Sequence, residues 1–186
     1  MGSLGDAVRA RNEAIARAGR WRSVRTLASG SPRTRLADGT PVVHFASNDY
    51  LGLSQHPDVV AAAHDALDEY GAGSGAARLI VGGRPVHDRL EAALAAWQGT
   101  EAALVFPTGF ATNLGIIGAL VQAGGRDDTL VLSDELNHAS IIDGIRAARA
   151  DASVYPHLDL DRLADALAAR RHRHAVVVSD AVFSMD

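Results

Sequence analysis

Apolar residues recur along this chain in two rhythms, and the change from one to the other organises it. Leu4, Val8 and Ile15 fall at helical spacing and the run stops at Gly19, which predicts an amphipathic helix over residues 4–18 that clasps another surface. Leu36 to Phe45 reads as two short strands around Asp38-Gly39, a dipeptide suited to the positive φ angles of a hairpin turn. An irregular connection follows from Asn48 to Ser54. Pro57 then sits where a first helical turn tolerates its missing donor, and Val60, Ala63, Leu67 and Tyr70 carry a helix to Gly71. Gly71-Ala72-Gly73-Ser74-Gly75 is a loop, and Val86, Leu90, Ala93, Leu94 and Trp97 stripe a second helix from Pro85 to Trp97.

From Glu101 onward strands and helices alternate. Strands are expected at Ala102–Phe106, Thr129–Leu132, Ser153–Tyr155 and Ala175–Val178, with helices at Thr112–Gln122, Ala139–Ala150 and Leu160–Arg171 between them. Strands that are apolar throughout, alternating with helices, indicate an α/β fold with a mostly parallel sheet covered on both faces. On this reading Ala175–Val178 is buried on both sides.

Composition narrows the class further. A chain of 186 residues with 47% hydrophobic and 22% charged residues can bury the core of one domain. Its net charge of −4 is spread along the sequence, which argues against nucleic acid as a partner. The basic run Arg170-Arg171-His172-Arg173-His174 is read as a helix C-terminal cap, where positive charge meets the negative end of the dipole. With no cysteine there is no disulfide framework and no thiolate metal site. No basic leader precedes an apolar run and no stretch approaches the ~18 apolar residues that span a bilayer, so the expectation is a cytoplasmic protein without a membrane partner. All 18 residues of the Lys+Arg count are arginines, so the chain contains no lysine.

In open α/β sheets ligands gather at the carboxyl ends of the strands, and three chemically suggestive segments lie there: Thr108 to Asn113, Asp134 to Ser140, and Ser179 to Asp186. In the first, Gly109 opens a strand-to-helix turn whose free amides suit a phosphate. In the second, His138 is flanked by the capping residues Asn137 and Ser140, and its imidazole could stack on a flat ligand or exchange protons. His157 with His172 and His174 is set aside as a metal site, because surrounding arginines repel a cation; no metal is expected. Gly71-x-Gly73-x-Gly75 follows a helix, whereas a dinucleotide fingerprint follows a strand, and neither a P-loop nor a G-x-S-x-G elbow is present.

Taken in order, these segments resemble the α-oxoamine synthases, a family of pyridoxal-phosphate enzymes. The resemblance is carried by Phe45-Ala46-Ser47-Asn48-Asp49-Tyr50-Leu51-Gly52-Leu53, by Gly71 to Gly75 with Arg78, by Gly82-Gly83 and His87-x-x-Leu90-Glu91, and by the three segments above. It implies the aminotransferase-like fold, known as fold type I, and pyridoxal 5'-phosphate as cofactor. Residues 1–45 would be an N-terminal helix and hairpin segment, and residues 46–186 an incomplete cofactor-binding large domain. The form Ser47 to Leu53 followed by Ser54-Gln55-His56-Pro57 is most similar to the biotin-pathway branch. That branch condenses L-alanine with a pimeloyl thioester, carried on CoA or a carrier protein, as a homodimer. The 5-aminolevulinate synthase and glycine C-acetyltransferase branches are the alternatives.

Carried over by the same resemblance, Gly109 and Phe110 hold the cofactor phosphate region, with Asn113 supporting the turn. His138 stacks on the pyridine ring, as both a catalytic and a substrate-binding residue, Ser184 hydrogen-bonds the cofactor, and Arg22 binds substrate. Ala77 departs from the family's serine before the arginine of the glycine-rich loop. The Asp-x-x-His segment and the Schiff-base lysine of the family have no counterpart here, so the chain reads as the first half of such an enzyme, inactive alone. Two other readings are a non-catalytic subunit paired with a lysine-bearing partner and an unrelated nucleotide-binding module.

Overall fold

Ser3 opens helix α1 (Leu4–Arg17): its hydroxyl accepts the Asp6 amide while the Asp6 carboxylate accepts the Ser3 amide, a reciprocal cap that satisfies two end donors. Strands β1 (Arg33–Arg35) and β2 (Pro41–Val43) pair antiparallel, with Arg33 opposite Val43 and Arg35 opposite Pro41. Gly39 takes a φ of 86° at the turn, and the Asp38 carboxylate accepts the Thr40 amide at 2.9 Å. The hairpin is therefore where the dipeptide places it. Its first strand begins earlier than expected, at Arg33, and Leu36 instead bridges Leu27.

In the Ser47 to Leu53 motif, Asp49 accepts the Ser54 hydroxyl at 2.6 Å beside the short 3-10 turn Leu53–Gln55. That bond holds the Asp49 carboxyl below its ordinary range. Helix α2 (Pro57–Tyr70) ends where Gly71 takes a φ of 78°, and a π-turn follows at Arg78–Gly82.

The computed structural model describes residues 2–183, which divide after Gly83 into two compact units. Every buried hydrophobic side chain among the described residues belongs to the second unit. The clasping face expected of α1 is open, with Leu4 82% exposed.

In the second unit, helices α3 (Pro85–Gln98) and α4 (Gly109–Gly124) precede strand β3 (Thr129–Asp134). Helix α5 (Ala139–Ala148), strand β4 (Asp151–Tyr155), helix α6 (Leu160–Ala169) and strand β5 (His174–Val178) complete it. The three strands are parallel in the order β4-β3-β5, so the central strand is flanked by both crossovers. All six residues of β3 are buried. Alternation sorts its side chains: Val131 packs with Ile117 and Val121 of α4 and with Ile141 and Ile145 of α5, while Leu130 and Leu132 pack with Tyr155 and with Leu163 and Leu167 of α6. Helices thus cover both faces of a parallel sheet, as the alternation predicts.

Two expectations are corrected. Ala102–Phe106 is not a strand: among the described residues no strand lies alongside it, and the Val105 amide donates to the Glu91 carboxylate at 2.9 Å rather than to a ladder. Among the described residues Ala175–Val178 lies in an edge strand paired with β3 alone, and Val177 remains 47% exposed. The basic run after α6 behaves as a cap, with the Arg170 guanidinium donating to the Leu167 carbonyl at 2.5 Å.

Helices α4 and α5 approach closely at Gly144, where a Cβ would stand 2.9 Å from the Asn113 carbonyl oxygen and 3.0 Å from Ile117 Cδ1. Gly144→Val is expected to lower stability by about 2–3 kcal/mol, because a packed backbone has to yield and a β-branched residue recovers only a few tenths of a kcal/mol in helix propensity over glycine. The urea midpoint reads this directly. An unchanged midpoint would show that the two helices separate freely.

Candidate functional site

Thr108 begins the site. Its hydroxyl accepts the Ala111 amide at 3.0 Å, and its carbonyl takes the Thr112 amide and hydroxyl, each at 3.0 Å. This leaves the first two amides of α4, those of Gly109 and Phe110, without a hydrogen-bond partner among the described residues. They sit at the positive end of a 16-residue helix.

His138 caps α5. Its Nδ1 accepts the Ser140 amide at 3.1 Å and lies 2.7 Å from the Ser140 hydroxyl, which in turn accepts from Asn113 Nδ2 at 2.8 Å. A ring nitrogen that accepts from a backbone amide carries no hydrogen, so the imidazole hydrogen sits on Nε2. Donation then runs one way, from Asn113 to the Ser140 oxygen and from the Ser140 hydroxyl to the ring. The chain of bonds also ties α4 to α5 beside their glycine contact.

A second set of bonds fixes the loop after β5. The His138 amide donates to the Asp180 carboxylate at 2.8 Å, and the Asp180 amide donates to Asn137 Oδ1 at 2.9 Å. Asn137 Nδ2 reaches both Ser133 Oγ at 2.9 Å and the Val178 carbonyl at 2.8 Å. One buried amide side chain therefore joins β3, β5 and the turn that carries His138.

These elements enclose a cavity of about 270 Å³ lined by Gly109, Phe110, Asn113, His138, Ser140, Asp180 and Val182. Three of the residues singled out from sequence, Gly109, Phe110 and His138, are thus brought together at the carboxyl ends of β3 and β5. Asn113 joins them. Arg22 lies in the N-terminal unit, exposed, in the irregular segment after α1. Ser184 falls outside the described residues. Asp180 and the full reach of Asn137 were missed by sequence reasoning, since partners 42 and 43 positions apart leave no local signal.

The cavity suits pyridoxal phosphate in part. A Cβ built on Gly109 meets no protein atom within 4 Å, so the space in front of the two free amides is open to an anion. The imidazole of His138 borders the same space and offers a flat face. A side-chain amine for covalent attachment is not present in these 186 residues, which contain no lysine.

The aminotransferase class I and II family model matches residues 40–186, and the chain belongs to that family. Within it, the resemblance to the α-oxoamine synthases is borne out by the relatives. The chain is 49% identical over 181 residues to an 8-amino-7-oxononanoate synthase of Anaeromyxobacter sp. (strain K), covering 97% of this chain and 44% of that protein. Among solved structures it is similar to a serine palmitoyltransferase variant from S. paucimobilis with a bound PLP–myriocin aldimine: TM-score 0.83, 29% identity, 97% of this chain and 45% of that one. An 8-amino-7-oxononanoate synthase from Francisella tularensis matches with TM-score 0.62 and 29% identity over 76% of this chain and 37% of that one. The expected fold type I architecture is thereby confirmed. The chain spans less than half the length of these relatives. No helix among the described residues is long and apolar enough to cross a membrane.

Proposed function

We propose that these residues are the N-terminal portion of a pyridoxal-phosphate-dependent 8-amino-7-oxononanoate synthase, which condenses L-alanine with a pimeloyl thioester, with decarboxylation, in biotin biosynthesis. The observation that carries the reading is the shared cavity of Gly109, Phe110 and His138, in a chain about half identical to relatives of that name. In this reading residues 46–186 are part of the cofactor-binding large domain, residues 1–45 its N-terminal helix and hairpin segment, and the whole protein is a cytoplasmic homodimer.

The cofactor supplies an electron sink that stabilises negative charge at the amino-acid α-carbon. The chain's own residues do the rest. The free Gly109 and Phe110 amides bind the phosphate with directed donors and the favourable end of the α4 dipole. The His138 ring, its tilt set by Nδ1 and its hydrogen held at Nε2, would stack on the pyridine and exclude water from it. Ser140 and Asn113 fix that orientation. Arg22 offers a guanidinium to a substrate carboxylate, and Ser184 a hydroxyl to the cofactor. The attachment amine comes from outside these residues, either from further sequence or from a lysine-bearing partner.

The test is to incubate the full-length protein with pyridoxal phosphate, L-alanine and pimeloyl-CoA and to measure 8-amino-7-oxononanoate against released carbon dioxide. One-to-one formation is expected, and His138→Ala should lower kcat/KM by about a hundredfold through lost orientation. Condensation with glycine in preference to alanine would move the protein to another branch. No condensation at all would end the proposal.

A further inference from the structure

We propose that His157 is a positioning residue of this cavity: through its ring contact with Phe183 it holds the loop 179–183 in place for the pyridoxal-phosphate ligand, a role that rests on the function proposed above. His157 follows β4 at one edge of the sheet, and Phe183 follows β5 at the other edge. Between them lies the end of β3. Their rings meet edge-on across it, with centroids 4.5 Å apart and planes at 70°.

His157 is itself rigidly placed. Asp134, the last residue of β3, has a carboxylate only 3% exposed, and a charge so buried requires donors. The Leu136 amide supplies one at 2.9 Å, and His157 Nδ1 the other at 2.9 Å. Nδ1 therefore carries the hydrogen, the opposite tautomer to that of His138. The His157 amide donates to the Glu135 carboxylate at 2.8 Å, and the Glu135 amide donates to the Tyr155 carbonyl at 3.1 Å, so backbone and ring are both fixed.

The loop has need of such a strut. Asp180 ties its start to Asn137 and His138, but among the described residues no hydrogen bond holds Ala181, Val182 or Phe183. Val182 lines the cavity between the two ties. Phe183 immediately precedes Ser184, the residue assigned to the cofactor by resemblance. With the ring contact gone, Asp180 is the tie that remains to the loop among the described residues.

The experiment compares full-length protein with His157→Asn, which keeps a donor for Asp134 but loses the ring, with Phe183→Leu, and with the double variant. Amide hydrogen exchange of the cofactor-free protein is followed at residues 179–183 and along β3, and pyridoxal phosphate affinity is measured by titration. Each single variant should speed exchange about tenfold at the Asp180 amide, the loop donor held by Asn137 Oδ1, while β3 stays protected. Each should also weaken cofactor affinity about fivefold, with the double variant no worse than either single one. Unchanged loop exchange overturns the proposal, as does faster exchange with unaltered affinity. Loss of protection along β3 in both variants also overturns it, by assigning His157 to general stability. If the unmodified protein takes up no pyridoxal phosphate, the functional reading falls, and the exchange comparison still upholds or overturns the strut.

Discussion

Asn137→Ala is expected to cost about 2–4 kcal/mol of stability, a large fraction of what a unit of this size holds. The amide side chain is 5% exposed and serves three groups at once. Truncation leaves the Val178 carbonyl and the Asp180 amide without their 2.8 Å and 2.9 Å partners and deprives Ser133 of its donor. A lost partner for a partly buried group costs roughly 1–3 kcal/mol. Chemical denaturation measures the loss. A change below about 0.5 kcal/mol would show that the clamp is replaceable by solvent. The same variant should loosen the His138 turn, because Asp180 is held from both sides by this residue and its neighbour.

The second large effect is categorical. The 186-residue chain, mixed with pyridoxal phosphate and reduced with borohydride, should gain no cofactor mass on any internal peptide, because arginine does not replace lysine in carbon–nitrogen condensation with an aldehyde. The α-amine at residue 1 is the one permitted attachment point. Peptide mapping after reduction reads the outcome. An adduct on an internal residue would require a nucleophile that neither the composition nor the cavity provides.

What was legible in the sequence follows physical range. Local rules placed α2 between Pro57 and Gly71 and the hairpin around Asp38-Gly39, since each depends on a few adjacent φ angles. The apolar run Thr129–Leu132 reads correctly as a fully buried strand because helices cover both its faces. The equally apolar Ala102–Phe106 fails the same test, because a strand is defined by its neighbour, and Val105 found Glu91 instead. In the site, a strand-to-helix glycine and a capping histidine are recognisable from their own turns. Asp134, Asp180 and Phe183 are not: each acts on a residue 23 to 42 positions away or across two strands, and only the fold supplies that proximity.

The distribution of buried side chains bears on how the chain leaves the ribosome. Hydrophobic burial runs from Ala95 to Tyr155, so the described part of the first 83 residues emerges with no core of its own to close upon. At roughly 5–20 residues per second, synthesis of the 72 residues from Arg84 to Tyr155 takes about 4–14 s. Throughout that interval Phe45, Tyr50, Leu51, Leu79 and Ile80 stay open to solvent and to other nascent chains. Among the described residues a hydrophobic core therefore closes only once the second unit has emerged, and the early segment has to stay soluble through its polar positions until then.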